Sequence, residues 1–98
     1  MARSRFHSLP RRPVLDREVP VATTFRARAL GLSLLDRQDA GPGLLIPRCA
    51  AVHTFGMRFA LDIHFLDADG RALSTRHAVP PRRFVAHRGA AGVLETPA

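Results

Sequence analysis

Several residues able to do chemistry stand close together in the middle of this sequence. His53, Thr54, Met57 and Asp62 lie on or beside a loop that carries Gly56 and leads into an apolar strand. Loops set on rigid sheets are where binding groups concentrate. His53 with Asp62 supplies the parts of a general base and its orienting carboxylate, or two polar anchors in a small pocket. The simpler reading is that both residues tie the loop down, with Asp62 accepting backbone N–H bonds or pairing with Arg48 or Arg58. Glu95, after Val93 and Leu94 in a terminal strand, is a further pocket carboxylate unless it pairs with an arginine. The pocket candidates are therefore Arg48, His53, Thr54, Met57, Asp62 and Glu95. None of them is assigned as catalytic.

Other constellations carry less. Asp62 and His64 are two apart on a strand and share a face, so they offer two metal ligands. A third would have to come from His53 or His77, and no zinc-type spacing is present. Asp67-Ala68-Asp69-Gly70 looks like the start of a calcium loop, but the later acidic position and the terminal Glu are missing, and a hairpin turn accounts for these residues. Cys49, four residues before His53, reads as a small core residue rather than a nucleophile. His77 falls on the same strand face as Leu73 and Val79 and reads as a hydrogen-bonded interior histidine. No metal and no cofactor is expected.

The elements that must position these residues are short and mostly β. Residues 58–65 alternate Phe59, Leu61, Ile63 and Phe65 with Arg58, Ala60, Asp62 and His64, the period-two pattern of a half-buried strand. Asp69-Gly70 predicts a tight hairpin with two positive-φ positions, and a return strand over about 71–79 ends at Pro80-Pro81. Leu44-Leu45-Ile46 is a short buried strand stopped by Pro47. Segments at 84–85 and 91–95 can each add a strand, and Val14-Leu15 with Val19-Pro20-Val21 suits an edge. Thr23 or Thr24 can cap one short helix near residues 24–31, with Phe25, Ala29 and Leu30 inward and Gly31 closing it. The expectation is a mostly β domain, a compact β-sandwich or small barrel with one short helix. Residues 1–13 mix Arg, Ser and Pro and read as a flexible basic arm, leaving 14–98 as the single domain.

Composition bounds the rest. The 98 residues hold room for one domain, and 46% of them are hydrophobic, enough for a modest core. The formal charge of +7 raises nucleic acid or an acidic membrane as partners. All 15 basic residues are Arg, however, and Lys, Asn, Tyr and Trp are absent, as a GC-rich bacterial genome would favour. The charge is also uneven. Residues 1–28 hold seven Arg against Asp16 and Glu18, for +5; residues 29–70 hold three Arg against five Asp, for −2; residues 71–98 hold five Arg against Glu95, for +4. The motif-bearing middle is slightly acidic, so nucleic acid is not the expected partner, and any such affinity would be steeply salt-dependent. The lone Cys49 excludes an intramolecular disulfide and fits a reducing compartment. Residues 1–12 carry four Arg without the apolar run of about 7–15 residues that a secretory signal needs. The expected location is cytoplasmic, with no membrane association.

Four segments together resemble the domain-of-unknown-function family 192 (DUF192). They are Val21-Ala22 with Arg28 and Gly31-Leu32; Gly43-Leu44-Leu45-Ile46; the run from His53 through Ile63 with Phe65-Leu66-Asp67 and Asp69-Gly70; and Pro80-Pro81-Arg82 with Val93-Leu94-Glu95. The similarity covers about residues 19–98, and the third segment is the most specific. The resemblance implies a compact β-sandwich-like domain and no assigned activity. Family members often have Gly-Leu-Met where this chain has Gly31-Leu32-Ser33. They also tend to continue past Leu-Glu through a glycine into a last strand, where this chain has Thr96-Pro97-Ala98. Many carry an export signal. The leading expectation is a non-enzymatic module for a small polar ligand such as a sugar. The alternatives are a small hydrolase-like enzyme using His53 and Asp62, and a basic nucleic-acid accessory protein.

Overall fold

In the computed structural model, which describes residues 5–98, the apolar alternation along the chain builds three antiparallel sheets, joined by one short helix. The strands are β1 (Arg11–Val14), β2 (Arg17–Pro20), β3 (Leu44–Pro47), β4 (Ala51–His53), β5 (Leu61–Leu66), β6 (Ala72–Val79), β7 (Phe84–Ala86) and β8 (Gly92–Pro97). Helix α1 spans Phe25–Leu30, and a single 3-10 turn covers Arg37–Asp39. The main sheet has the order β3-β8-β5-β6, while β1 pairs with β2 and β4 with β7. The fold is mostly β with one short helix, as the alternation and the cap residues predict.

Strand β8 is central and buried on both faces, and its alternation sorts the molecule into two cores. Val93 faces the larger one, together with Ile63 and Phe65 of β5, Leu44 and Ile46 of β3, Ala27, Leu32 and Met57. Leu94 faces the smaller one, where Leu66 and Leu45 meet Val14 and Val19 of the β1–β2 hairpin. The period of two then puts Glu95 on the larger core's side. Its Cα partners across the ladders are Ile63 and Leu44, so a carboxyl enters the sheet face where a third aliphatic side chain would be expected.

The N-terminal segment differs from the expected arm. Arg11–Val14 forms β1, paired with β2 from Arg11↔Pro20 to Val14↔Arg17, and Phe6 is only 5% exposed within the larger core. Arg5 donates from Nη1 to the Ser33 carbonyl at 2.8 Å and from Nη2 to the Gly31 carbonyl. A domain boundary at 13/14 thus falls inside a strand. The apolar content of the segment is low, but Phe6 alone supplies a large buried surface. The part of the expected arm at residues 1–4 lies outside the described residues.

Two further departures come from β-bulges, which sequence alternation does not reveal. Leu61 pairs with Val79 and Ile63 with Arg76, so His77 and Ala78 oppose the single residue Asp62. Phe65 pairs with Ser74 and Leu66 with Ala72, so Leu73 is the extra residue there. Of the three residues expected on the inner face of β6, Val79 is buried there and Leu73 and His77 are displaced. The His77 side chain is 76% exposed, and Leu73 is exposed as well. The β5–β6 turn also differs from a two-residue hairpin. Asp67 and Arg71 close a three-residue loop in which only Gly70 has positive φ (+83°), the usual type I turn with a glycine bulge. In α1, Ala27 faces the core, while Phe25 is exposed rather than inward.

Candidate functional site

Helix α1 starts where Thr24 accepts the Ala27 N–H on its hydroxyl at 3.0 Å and ends where the Gly31 N–H bonds to the Ala27 carbonyl. Gly31 has φ +53°, a conformation that favours glycine. A Cβ built there would stand 2.8 Å from Oε1 of Glu95. The next backbone N–H, that of Leu32, donates to the Glu95 carboxyl. The end of the helix and the centre of β8 thus meet at one carboxyl.

A partly open cleft of about 170 Å³ lies over this point. Its walls include Leu30, Ile46, Val52 and Met57; Arg28, Ser33, Cys49 and His53 supply polar groups, and Gly31 and Glu95 lie among its lining residues. At roughly 30 Å³ per water, the space equals about five waters or one small molecule. Glu95 is only 3% exposed, and its Oε1 is buried with no hydrogen-bond partner. Burial pushes the Glu95 carboxyl up to about 7, against the smaller lowering effect of the Leu32 N–H. Arg28 does not offset it, because its guanidinium is turned to the carbonyls of Pro47 and Arg48. The arginine pairing expected for Glu95 is therefore not formed.

His53 is exposed and lines the cleft. Its Nδ1 accepts the Phe55 N–H at 3.2 Å, which assigns the proton of the neutral ring to Nε2. The Phe55 ring, itself exposed, stands 5.8 Å from the His53 ring between centroids. Cys49 is half-buried, donates from Sγ to the Ala51 carbonyl at 3.1 Å, and packs against the core as expected.

Of the six sequence candidates, the structure brings His53, Met57 and Glu95 together and places the other three elsewhere. Thr54 is fully buried; its hydroxyl donates to the Pro80 carbonyl at 2.7 Å and accepts the Arg83 N–H at 2.8 Å, so it pins the loop to the 80–83 segment. Arg48 lines a different groove, between the β1–β2 turn and the β5–β6 turn. Asp62 points to the other side of the sheet. It accepts the Ala78 N–H at 2.8 Å across the bulge and lies 3.7 Å from Nδ1 of His77. No hydrogen bond joins His53 to Asp62, so the base-and-carboxylate pair is not assembled. A double-mutant cycle on His53→Ala and Asp62→Ala is expected to be additive within about 0.5 kcal/mol in unfolding free energy. Asp62→Ala alone should cost about 1 kcal/mol through the lost bulge bond. Coupling above about 1 kcal/mol would contradict this geometry.

Arg28, Gly31, Ser33 and Cys49 were not among the sequence candidates for the cleft. The signal for two of them was present, since Arg28 and Gly31 belong to the first of the four segments that carry the family resemblance. All four segments contribute to the surroundings of Glu95: Gly31 and Leu32 at the helix end, Leu44 and Ile46 in β3, His53 and Met57 in the loop, and Glu95 itself. Among the described residues, no group of three or more His, Cys, Asp and Glu could hold a metal ion. No helix among them is long and apolar enough to cross a membrane.

Fold and site together define a small antiparallel β domain with a buried carboxyl at the base of a cleft. The sequence profile of DUF192, described as "Uncharacterized ACR", matches residues 10–98. The chain belongs to this family. It is 31% identical over 83 residues to a UPF0127 protein of Thermococcus sibiricus, a match that takes in 81% of this chain and 54% of that protein. The chain thus spans about half the length of that relative. The fold is similar to a crystal structure of a protein of unknown function from Novosphingobium aromaticivorans, with a TM-score of 0.65 and 17% identity, covering all of this chain and 88% of the other. At that identity the likeness concerns the fold alone.

Proposed function

We propose that this protein is a non-enzymatic binding domain for a small molecule, seated in the cleft over Glu95. The observation that carries the reading is the unpartnered Oε1 of a carboxyl that is almost wholly buried yet lines an open space. Buried polar atoms are satisfied as a rule, and one left unpaired costs about 1–3 kcal/mol. A ligand group bonded to Oε1 recovers that cost. Apolar walls with a few convergent polar groups are the usual composition of small-molecule sites. Catalysis is not favoured, because the cleft joins no nucleophile to a base.

A thermal-shift screen over metabolites, sugars and metal ions tests the proposal. A true ligand at about 100 times its dissociation constant adds about 2.7 kcal/mol, and the shift should disappear in Glu95→Gln. A screen without stabilising compounds, or hits that survive Glu95→Gln unchanged, would overturn it.

A further inference from the structure

Resting on that binding reading, we infer that the ligand is a neutral polyhydroxyl molecule of about monosaccharide size, held between Glu95 at the base of the cleft and His53 at its mouth. Three features of the cleft select this chemistry over a cation or an anion.

The first is complementarity at the two ends. Oε1 of Glu95 is buried without a hydrogen-bond partner, and the Leu32 N–H is the backbone donor facing this carboxyl. At the mouth, the Phe55 N–H occupies Nδ1 of His53, which leaves Nε2–H as a donor with no protein acceptor among the described residues. A ligand must therefore offer a donor at one end and an acceptor at the other. A hydroxyl group is both at once. It can donate to Glu95 as a carboxylate and can also accept from it as a carboxylic acid, so it suits the site in either protonation state.

The second is charge. Glu95 is the only acidic residue lining the cleft among the described residues, and Arg28, bonded to the Pro47 and Arg48 carbonyls, is a basic residue of the same lining. An ammonium ion seated in the cleft would share its lining with this guanidinium, a like charge that reduces its gain from Glu95. An anionic ligand meets the opposite problem, since the carboxyl at the base repels it once ionised. Neutral ligands avoid both terms.

The third is the rim. Phe55 and Leu34 are more than half exposed, and Leu34 is tied to the Phe55 loop by its N–H bond to the Gly56 carbonyl. Phe55 does not line the cleft itself, but its ring stands 5.8 Å from that of His53, which does. A sugar or cyclitol presents C–H faces as well as hydroxyls, and fits a rim of this kind beside the His53 ring.

Titration followed by amide NMR on the full chain tests the inference with three sets of probes. The first set is D-glucose, D-galactose, D-ribose and myo-inositol; the second is ethanolamine and putrescine; the third is acetate and lactate. Saturable shifts are expected for a member of the first set, centred on the amides of Gly31, Leu32 and His53, with the other two sets silent. Glu95→Gln replaces one carboxyl oxygen by an NH2 donor and removes the charge, so affinity should fall about tenfold or more. His53→Ala, at an exposed position that does not threaten folding, should weaken the same ligand while leaving the Leu32 amide in place. Saturable binding of an amine or a carboxylate at these amides, in place of a polyol, would overturn the ligand class and leave the binding reading standing. Silence of all three sets at these amides would overturn both. Polyol binding that maps elsewhere or is unchanged in the two variants would also overturn the assignment.

Discussion

Phe65→Ala is expected to lower the unfolding free energy by about 3–5 kcal/mol, measured by denaturant unfolding of the two chains under the same conditions. Phe65 has no exposed surface and sits in β5, one strand in from the β6 edge, with Val93 of β8 as its cross-strand partner. Its ring also lies 5.6 Å from that of His87 between centroids, which ties the segment after β7 to the sheet. Truncation would leave a void between the main sheet and the elements packed on it. Rigid neighbours on both ladders give the site little freedom to collapse, so the cost falls in the upper part of the range for such changes. Small domains have stabilities of about 5–15 kcal/mol, so the variant should be partly unfolded at modest denaturant. Phe55→Ala is the control. That ring is more than half exposed, beside the cleft-lining His53, and its loss should stay within about 0.5 kcal/mol. Equal effects at the two positions would contradict the assignment of core and rim.

How much of this was legible in the sequence follows from which regularities were local. The alternation from Leu61 to Phe65 depends on backbone geometry alone, and it places Ile63 and Phe65 in the core as read. Thr24 as cap and Gly31 as terminator are also local signals, and both hold. Leu73 and His77 leave the expected face because bulges change the count of residues between partners, and a bulge depends on the opposite strand. The N-terminal segment departs from the expected arm for a related reason. Its few apolar residues look insufficient by composition, yet Phe6 finds a slot made by elements far along the chain. The site itself divides in the same way. His53 and Met57 were found from their loop. Glu95 was visible as a carboxylate in an apolar strand, but its isolation depends on Arg28 being committed to the carbonyls of Pro47 and Arg48, which no spacing shows. Asp62 was the opposite case. It was paired with His53 because they are near in sequence, while the strand's period of two sends its side chain to the face away from Glu95.

The isolation of Glu95 makes stability depend on pH in a defined direction. In the folded chain without ligand its carboxyl titrates at about 7, against an ordinary value of 4.5. Below pH 4.5 both folded and unfolded chains hold the proton, and Glu95 exacts no penalty. Between 4.5 and about 7 the unfolded chain releases the proton while the folded chain keeps it, so stability falls as pH rises. Above 7 the penalty is constant. At about 1.36 kcal/mol per pH unit, the interval from 4.5 to about 7 corresponds to about 3 kcal/mol. His64 acts in the opposite sense. Burial lowers its pKa while its ring sits between the Thr75 and Thr96 hydroxyls, so its contribution to stability is lost as pH falls below the ordinary histidine range. The informative quantity is therefore the difference between the native chain and Glu95→Gln, in which His64 cancels. Relative to the native chain, the Gln variant should gain about 3 kcal/mol between pH 4 and pH 8, most of it between 4.5 and 7. Urea unfolding at several pH values measures this directly. A flat difference would mean that Glu95 is solvated or paired in solution, and the case for an unsatisfied carboxyl in the cleft would go with it.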